Sequence, residues 1–258
     1  MKITFYKYQG TGNDFILIDN RQLYFSKNDT ILIRHLCNRK FGIGADGLIL
    51  LEEDENTDFR MVYYNADGNE GSMCGNGARC IVAFARLLGI IDTSAVFTAT
   101  DGTHLAFISG DTVKLQMQDV DKIEKFSGHV FLDTGSPHHV QPVKNLDTMD
   151  VGALGKKLRY GKYGKTGSNI NFVERQANDL FSVRTYERGV EAETLSCGTG
   201  VTAVALAMYE TGETKATAVT VQTLGGELKV AFGRGTTGYK DIYLEGPAVQ
   251  VFKGTIVC

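Results

Sequence analysis

A short motif of cysteine and glycine occurs twice in this chain of 258 residues. Cys74-Gly75-Asn76-Gly77 recurs as Cys197-Gly198-Thr199-Gly200, at an offset of 123 residues. The same offset relates Thr11-Gly12-Asn13 to Thr134-Gly135-Ser136. Matches that keep one order at one spacing predict two copies of a single folding unit.

The repeat gives the expected division of the chain. We place the first half at residues 1–119 and the second at residues 120–258. The offset also relates Gly102 to Gly225. This internal symmetry predicts two similar domains of ordinary size.

Each half combines short strands with one strongly apolar helix. The segments that follow the two cysteines, 80–88 and 201–209, are apolar on nearly every face. A helix that is apolar on all sides is buried, and the short apolar runs between glycine turns are typical of strands. The sequence therefore predicts an α+β fold of two pseudo-symmetric domains. Each is a curled mixed or antiparallel sheet around a buried central helix. A separate helix is expected at 29–39.

Composition excludes several functional classes. The net charge of −3 argues against nucleic acid as a partner, and no apolar run is long enough for a membrane span. The amino terminus lacks the pattern of a signal peptide, so the expected location is the cytoplasm, with all five cysteines as free thiols. A homodimer is left open.

A thiol between a loop and a helix N-terminus has a specific chemical use. The unpaired N–H groups of the first turn carry partial positive charge, which favours the thiolate and binds carboxylates. Inversion of a stereocentre requires a base on one face of a carbon and an acid on the other. The pair Cys74 and Cys197 fits the two roles.

The remaining cysteines and glycine motifs indicate no further chemistry. Cys37 and Cys80 lie within predicted helices and are expected in the core, and Cys258 has no role that its context suggests. No cysteine or histidine spacing is typical of a metal site. The run Gly10 to Phe15 lacks the third glycine and the preceding strand of a dinucleotide-binding motif.

Several runs resemble diaminopimelate epimerases. They are Gly12-Asn13-Asp14-Phe15, Gly42 to Gly47, Asn65-Ala66-Asp67-Gly68, Met73 to Cys80, Pro137-His138, Asn169 to Phe172, Tyr186 to Gly189, and Glu193 to Gly200. The resemblance implies interconversion of LL- and meso-2,6-diaminoheptanedioate (diaminopimelate) for lysine and peptidoglycan precursor synthesis. It implies a small-molecule substrate and neither pyridoxal phosphate nor a metal. It also implies an active site in the cleft between the two domains, and a final strand, 249–258, that returns to the first half.

The resemblance also implies roles for individual residues. Cys74 and Cys197 match the catalytic thiols. The substrate-binding positions are Asn13, Asn65, Gly75, Asn76, Asn169, Glu187, Arg188, Gly198 and Thr199, and His138 matches a supporting position. An arginine fork suits a distal carboxylate, and glutamate and asparagine suit ammonium groups. The chain departs from the family pattern at Ser136, where asparagine is common, and at Gly47, where glutamine is common.

Three alternatives stay open at this point. One is a racemase for another amino acid, such as proline or histidine, although Glu187 and Arg188 favour a substrate with a charged distal end. Another is an isomerase related to the phenazine-biosynthesis enzymes, which share the fold but lack the cysteine pair. The last is a binding module without catalysis, which would exchange no solvent deuterium into the α-carbon of its ligand.

Overall fold

The structure is a computed structural model that describes residues 2–27, 29–71 and 73–258. It divides into two compact units. Unit 1 consists of Met1–Leu115 together with Gly246–Cys258, and unit 2 is Gln116–Glu245. The sequence-based boundary stands at residue 119, and the returning strand was expected from residue 249. No helix in the described part of the chain is long and apolar enough to cross a membrane.

The secondary structure is rich in strands. The strands are β1 (Lys2–Gly10), β2 (Asn13–Asp19), β3 (Gly47–Glu52), β4 (Phe59–Asn65), β5 (Ser94–Ala99), β6 (Gly102–Ser109), β7 (Thr112–Gln116), β8 (Ile123–Phe126), β9 (His129–Asp133), β10 (Pro137–Pro142), β11 (Asn169–Ala177), β12 (Leu180–Glu187), β13 (Ala192–Thr194), β14 (Ala218–Thr223), β15 (Gly226–Arg234), β16 (Tyr239–Pro247) and β17 (Val249–Val257). The α-helices are α1 (Thr30–Cys37), α2 (Gly75–Leu87), α3 (Val151–Gly161) and α4 (Gly198–Glu210), and a 3₁₀ helix covers Leu146–Thr148.

Both units pair their strands in one pattern. Unit 1 has the order β17-β1-β2-β3-β4-β5-β6-β7, in which the β2–β3 and β4–β5 pairs are parallel and the others antiparallel. Unit 2 has the order β8-β9-β10-β11-β12-β14-β15-β16, with β10–β11 and β12–β14 parallel. The short β13 also pairs with β12. The last strand of the chain, β17, therefore takes the place in unit 1 that β8 takes in unit 2. The predicted repeat and the two-domain α+β fold are confirmed.

One apolar helix packs against the sheet of each unit. Helix α2 contacts β1, β2, β3, β4 and β6, and helix α4 contacts β9 to β12, β14 and β15. In α4 every residue from Gly200 to Met208 is buried. Burial on all sides is what the apolar composition of these helices predicts. Both helices begin several residues before the segments 80–88 and 201–209, directly after the cysteines.

The constant offset fails at one hairpin. Gly102 opens β6 and Gly226 opens β15, each with positive φ (125° and 136°), and each pairs with the last residue of the preceding strand. Gly226 is thus the structural counterpart of Gly102, and the expected match with Gly225 is wrong by one residue. A single added residue in the preceding segment of unit 2 accounts for the shift.

The amphipathic helix predicted at 29–39 is α1. Asp29 is its N-cap and accepts a hydrogen bond from the N–H of Leu32 at 2.9 Å, as expected for an aspartate at this position. In unit 2, α3 begins in the same way, with Asp150 accepting from Ala153. Cys37 and Cys80 are buried, in agreement with their prediction as core residues.

A group of stacked rings lies beside β9 and β10. The His129 and His139 rings stack at 4.4 Å between centroids, and Phe126 stacks on His129 at 4.8 Å. His139 Nδ1 lies 2.8 Å from the Tyr163 hydroxyl. Burial lowers the pKa of His139 to about 4. The neutral imidazole is therefore part of the folded unit.

We predict that unit 2 loses stability in mild acid. A histidine whose pKa is lowered by folding stabilises the protein fully above about pH 6.5, and this contribution is lost as the pH falls toward 4. For His139 the loss is on the order of 1–2 kcal/mol at pH 5. Urea unfolding at pH 7.5 and pH 5 measures it, and His139→Gln should reduce the difference. His35→Gln, at an exposed histidine, is the control and should not.

Candidate active site

Both cysteines cap a central helix. Cys74 is the N-cap residue of α2, with φ −108° and ψ 119°, and Cys197 is that of α4, with φ −124° and ψ 109°. Cys74 is half-buried and Cys197 is 8% exposed. The N–H groups of each first turn have no partner within the helix and carry partial positive charge. The two thiols thus occupy equivalent positions in the two units, as the repeat predicts.

Two asparagines and one aspartate adjoin Cys74 in unit 1. Asn13 Oδ1 lies 3.6 Å from Cys74 Sγ and accepts a hydrogen bond from Asn76 Nδ2 at 3.3 Å. Asn13 Nδ2 donates to Asp46 Oδ2 at 2.6 Å. Two expected substrate-binding residues, Asn13 and Asn76, are therefore brought to the thiol by β2 and α2.

A buried arginine supports this group from within the unit. Arg79 is 0% exposed, and its Nη2 donates to Asn76 Oδ1 at 3.0 Å and to Thr11 Oγ1 at 3.2 Å. Its Nε donates to the carbonyl oxygen of Pro247 at 3.4 Å. Among the described residues no carboxylate pairs with Arg79. Neutral oxygens therefore solvate its charge, which is the condition for burying a cation.

The acidic residues near Asn13 are balanced by two cations. Asp14 is 2.8 Å from Lys7 and 2.6 Å from Arg39, and Arg39 also reaches Asp46 at 2.7 Å. Burial opposes ionisation of Asp14, but hydrogen bonds from Arg39 and Lys7 outweigh it and lower its pKa to about 2. Two carboxylates and two cations leave this cluster neutral at pH 7.

Hydroxyl groups replace the amides beside Cys197 in unit 2. Thr199 Oγ1 lies 3.5 Å from Cys197 Sγ, and Ser136 Oγ lies 3.3 Å from Thr199 Oγ1. Ser136 Oγ also lies 3.0 Å from His138 Nε2 and accepts from Asn169 Nδ2 at 3.1 Å. The serine found where the family carries asparagine therefore joins the thiol side of unit 2 to His138.

His138 is neutral and fixed in one tautomer. It is 0% exposed, and burial, with a smaller contribution from the charge of Arg188, lowers its pKa to about 3. Asn171 Nδ2 donates both to His138 Nδ1 at 3.1 Å and to the His139 carbonyl oxygen at 2.9 Å. Because Nδ1 accepts, the single ring proton lies on Nε2 and points to Ser136.

The residues expected at the distal end of the substrate lie close together in unit 2. The N–H of Arg188 donates to Asn169 Oδ1 at 2.8 Å, and Arg188 Nη1 donates to the Thr166 carbonyl oxygen at 3.1 Å. Glu187 ends β12 and accepts from Thr194 Oγ1 at 2.9 Å. The partly buried carboxylate of Glu187 and the exposed guanidinium of Arg188 therefore lie together where β12 ends.

Asn65 and Gly47 pair with each other where β4 ends and β3 begins. Asn65 is the exposed last residue of β4, and its carbonyl accepts from the N–H of Gly68 in the loop that leads to Cys74. At Gly47 a Cβ atom would lie 2.5 Å from the Tyr63 ring and 2.6 Å from the Tyr64 carbonyl oxygen. Tyr63 therefore explains why glycine replaces the common glutamine here.

Three residues of this arrangement were not singled out as site residues from the sequence: Asp46, Arg79 and Ser136. The repeat carried a signal for two of them, because the 123-residue offset pairs Asp46 with Asn169 and Asn13 with Ser136. For Arg79 the repeat carried no signal, since its counterpart on α4 is Thr202. Among the described residues no three His, Cys, Asp or Glu side chains group to hold a metal ion.

Comparison with known proteins agrees with this geometry. The family model described as diaminopimelate epimerase matches residues 5–123 and 130–251. The chain belongs to the diaminopimelate epimerase family. Diaminopimelate epimerase from Flavobacterium psychrophilum is 56% identical over 253 residues, covering 97% of this chain and 99% of that protein. The Chlorobaculum tepidum protein of the same name is 47% identical, covering 96% and 98%. The identification as an isomerase of this family is confirmed.

Solved structures show the same fold at low sequence identity. A phenazine biosynthesis protein of the PhzF family from Bacillus anthracis superposes with a TM-score of 0.80 at 15% identity, covering all of both chains. A hydroxyproline epimerase from Agrobacterium vitis gives 0.69 at 13% identity, covering 99% and 92%. Both structural similarities cover nearly the whole of this chain, and they concern its fold alone.

We predict that Gly200→Ala disturbs the unit 2 site. A Cβ atom at Gly200 would lie 2.5 Å from Asn171 Oδ1, and Asn171 holds the His138 tautomer. Displacement of a buried, fully bonded amide should cost about 1–3 kcal/mol of unfolding free energy and lower activity. Gly152→Ala in α3, where the nearest atom is 3.5 Å away, is the control. Equal melting temperatures for the two variants would contradict the prediction.

Proposed function

We propose that this chain catalyses the interconversion of LL- and meso-2,6-diaminoheptanedioate with Cys74 and Cys197 as paired acid and base. The observation that carries the proposal is the occurrence of a thiol at the N-cap of the central helix in both units, in a chain of the diaminopimelate epimerase family. Two units with one thiol each supply the two groups that inversion needs.

The proposed reaction consists of two proton transfers at the α-carbon. One thiolate removes the α-proton and becomes a thiol, and the electron pair spreads into the neighbouring carboxylate. The other thiol then donates its proton to the opposite face and becomes a thiolate. Epimerisation in the reverse direction uses the same groups in exchanged roles. The mechanism calls for neither pyridoxal phosphate nor a metal.

Backbone N–H groups are proposed to stabilise the developing charge. The first turns at Gly75-Asn76 and Gly198-Thr199 present unpaired N–H groups beside the thiols, and such donors favour an enolate more than a carboxylate. The glycines allow the substrate to approach the backbone closely. We assign the reacting carboxylate to these two helix N-termini.

The distal half of the substrate is assigned to polar side chains. Arg188 supplies a planar fork for the distal carboxylate, and Glu187 and Asn169 accept hydrogen bonds from the distal ammonium group. Asn13 and Asn65 are assigned to the same substrate from unit 1, and His138 to a supporting role. We propose that the repeat halves act as the two domains of the enzyme, in the cytoplasm, where lysine and peptidoglycan precursors are made. The homodimer stays a prediction, which analytical ultracentrifugation would test.

The deciding experiment is replacement of each thiol. Cys74→Ala and Cys197→Ala should each lower kcat for epimerisation by at least about 10²–10⁴-fold, since each removes an acid–base group. Incubation of LL-diaminopimelate in deuterium oxide follows both stereoinversion and α-deuteration. Cys37→Ala, at a buried thiol outside the site, is the control. Near wild-type turnover by either of the two site variants would refute the two-thiol assignment.

A second experiment tests the specificity of substrate recognition. Arg188→Lys keeps the charge but loses the two-donor fork, and should lower kcat/KM for diaminopimelate by about 10–100-fold. Arg175→Lys, at another arginine on the surface of unit 2, is the matched control and should change little. Unchanged kcat/KM in Arg188→Lys would remove Arg188 from the site.

A further inference from the structure

Each thiol lies at the end of a series of side-chain hydrogen bonds. The donor-to-acceptor direction of this series differs between the two units. In unit 1 the series consists of Asn13, Asn76 and their partners, and we call it the amide relay. In unit 2 it consists of His138, Ser136 and Thr199, and we call it the hydroxyl relay. The repeat offset equates Asn13 with Ser136 and Asn76 with Thr199. Equivalent positions thus carry different donors and acceptors.

The polarity of the amide relay follows from its ends. Arg79 only donates, so the atom of Asn76 that it reaches at 3.0 Å is the carbonyl oxygen, and the Asn76 amide nitrogen points to Asn13. Asp46 only accepts, so the atom of Asn13 at 2.6 Å is the amide nitrogen. Both ends therefore turn the Asn13 carbonyl oxygen toward Cys74 Sγ, at 3.6 Å. A carbonyl oxygen accepts a hydrogen bond from a thiol and repels a thiolate.

The hydroxyl relay has the reverse polarity. His138 Nδ1 accepts from Asn171, so Nε2 donates to Ser136 Oγ at 3.0 Å. Ser136 Oγ receives this hydrogen bond and another, and its own proton is left for Thr199 Oγ1 at 3.3 Å. The Thr199 proton is then left for Cys197 Sγ at 3.5 Å. A hydroxyl donor stabilises a thiolate.

The second hydrogen bond to Ser136 comes from the counterpart of Asp46. Asn169 holds the equivalent position in unit 2 and donates its Nδ2 to Ser136 Oγ at 3.1 Å. The same repeat position is therefore an acceptor in unit 1, through the Asp46 carboxylate, and a donor in unit 2, through the Asn169 amide. This change from acceptor to donor reverses the donor-to-acceptor direction of the hydrogen bonds that lead to the thiol.

We propose that Asp46 is a positioning residue which, through Asn13, keeps Cys74 protonated between turnovers, while the hydroxyl relay keeps Cys197 as the thiolate. The inference rests on the proposed two-thiol function and adds which thiol is the base when the first substrate binds. In that starting state Cys197 removes the α-proton of one epimer and Cys74 supplies the new one, and the opposite direction requires the exchanged protonation states.

In unit 1 the buried charge of Arg79 favours a thiolate at Cys74, but four oxygens surround its guanidinium, namely those of Asn76, Thr11, Gly75 and Pro247. The cluster of Lys7, Asp14, Arg39 and Asp46 is neutral in sum. Tyr8 and Cys80 stay uncharged because burial raises the pKa of each, and His104 on β6 pairs with Asp101.

In unit 2 three histidines and several charged side chains lie on the strands around the central helix, and the charge of Arg188 acts on His138. Burial lowers the pKa values of His129, His138 and His139, so these rings are uncharged at pH 7. The charged side chains on the strands in contact with α4 include Asp133, Arg184, Glu187 and Lys229. Arg184 is paired with Glu193 at 2.6 Å. The hydroxyl relay therefore places a donor at Cys197 Sγ, where the amide relay places an acceptor at Cys74 Sγ.

The test measures the ionisation of each thiol separately, without turnover. The full-length enzyme is alkylated with iodoacetamide across pH 5 to 10, and the peptides that contain Cys74 and Cys197 are quantified by mass spectrometry. The pH midpoints of the two alkylation profiles are compared, because the alkylation rates also depend on the exposure of each thiol. We expect the Cys197 midpoint to lie below that of Cys74 in the wild-type enzyme. Equal midpoints or the reverse order would overturn the proposal.

Two variants test the relays individually. Asp46→Ala frees the Asn13 amide to rotate and should lower the Cys74 midpoint by about 0.5–1 pH unit, the size expected for one net hydrogen bond. Thr199→Val should raise the Cys197 midpoint by a similar amount, and Thr199→Ser, which keeps the hydroxyl, should restore it. Asp19→Asn, at another ion-paired aspartate of unit 1, is the control and should shift neither midpoint.

A double variant separates positioning from the loss of a nearby charge. If Asp46 acts through Asn13, Asp46→Ala should shift the Cys74 midpoint in the wild-type background and not in an Asn13→Ala background. An equal shift in both backgrounds would mean direct action of the Asp46 charge and would overturn the relay. Wild-type epimerase activity is measured in parallel. A lack of activity with the expected midpoints would refute the proposed reaction and leave the relays standing.

Discussion

The architecture depends on the packing of one apolar helix against the sheet of each unit. Helices α2 and α4 are buried along most of their length, and at Gly77 and Gly200 the helix approaches its neighbours so closely that a Cβ atom would meet Ile49 Cδ1 at 3.0 Å or Asn171 Oδ1 at 2.5 Å. Close packing fixes where each helix begins. Since the N-cap residue is a cysteine in both, this packing also fixes the two thiols.

The two units show how a repeat can keep a backbone and change its chemistry. Strand pairing, helix position and N-cap geometry are common to both, whereas the side chains that face each thiol differ. In unit 1 carbonyl and carboxylate acceptors determine the orientation of the hydrogen bonds at Cys74. In unit 2 a neutral buried histidine and two hydroxyls determine it at Cys197. A reaction that needs one acid and one base is served by this difference, because identical surroundings would give both thiols one preferred protonation state.

The fold alone does not determine the reaction. Proteins described as PhzF-family and as hydroxyproline epimerase share this architecture at 15% and 13% identity. Proteins that share a fold can differ in the side chains that form their sites. In this chain the helix N-termini and the strand ends hold the thiols, the amide and hydroxyl relays, and the group of Asn169, Glu187 and Arg188.

The sequence by itself determined the repeat, the apolar central helices, the cysteine positions and the family. Each of these follows from local pattern: the 123-residue offset, an all-round apolar helix, and runs such as Met73 to Cys80. The roles of Asp46, Ser136 and Arg79 depended on tertiary structure, because their partners Asn13, Thr199 and Pro247 are distant along the chain. Hydrogen bonds join groups that are close in space, whatever their separation in sequence. Only the folded units therefore showed which atom of each amide and hydroxyl lies next to its thiol.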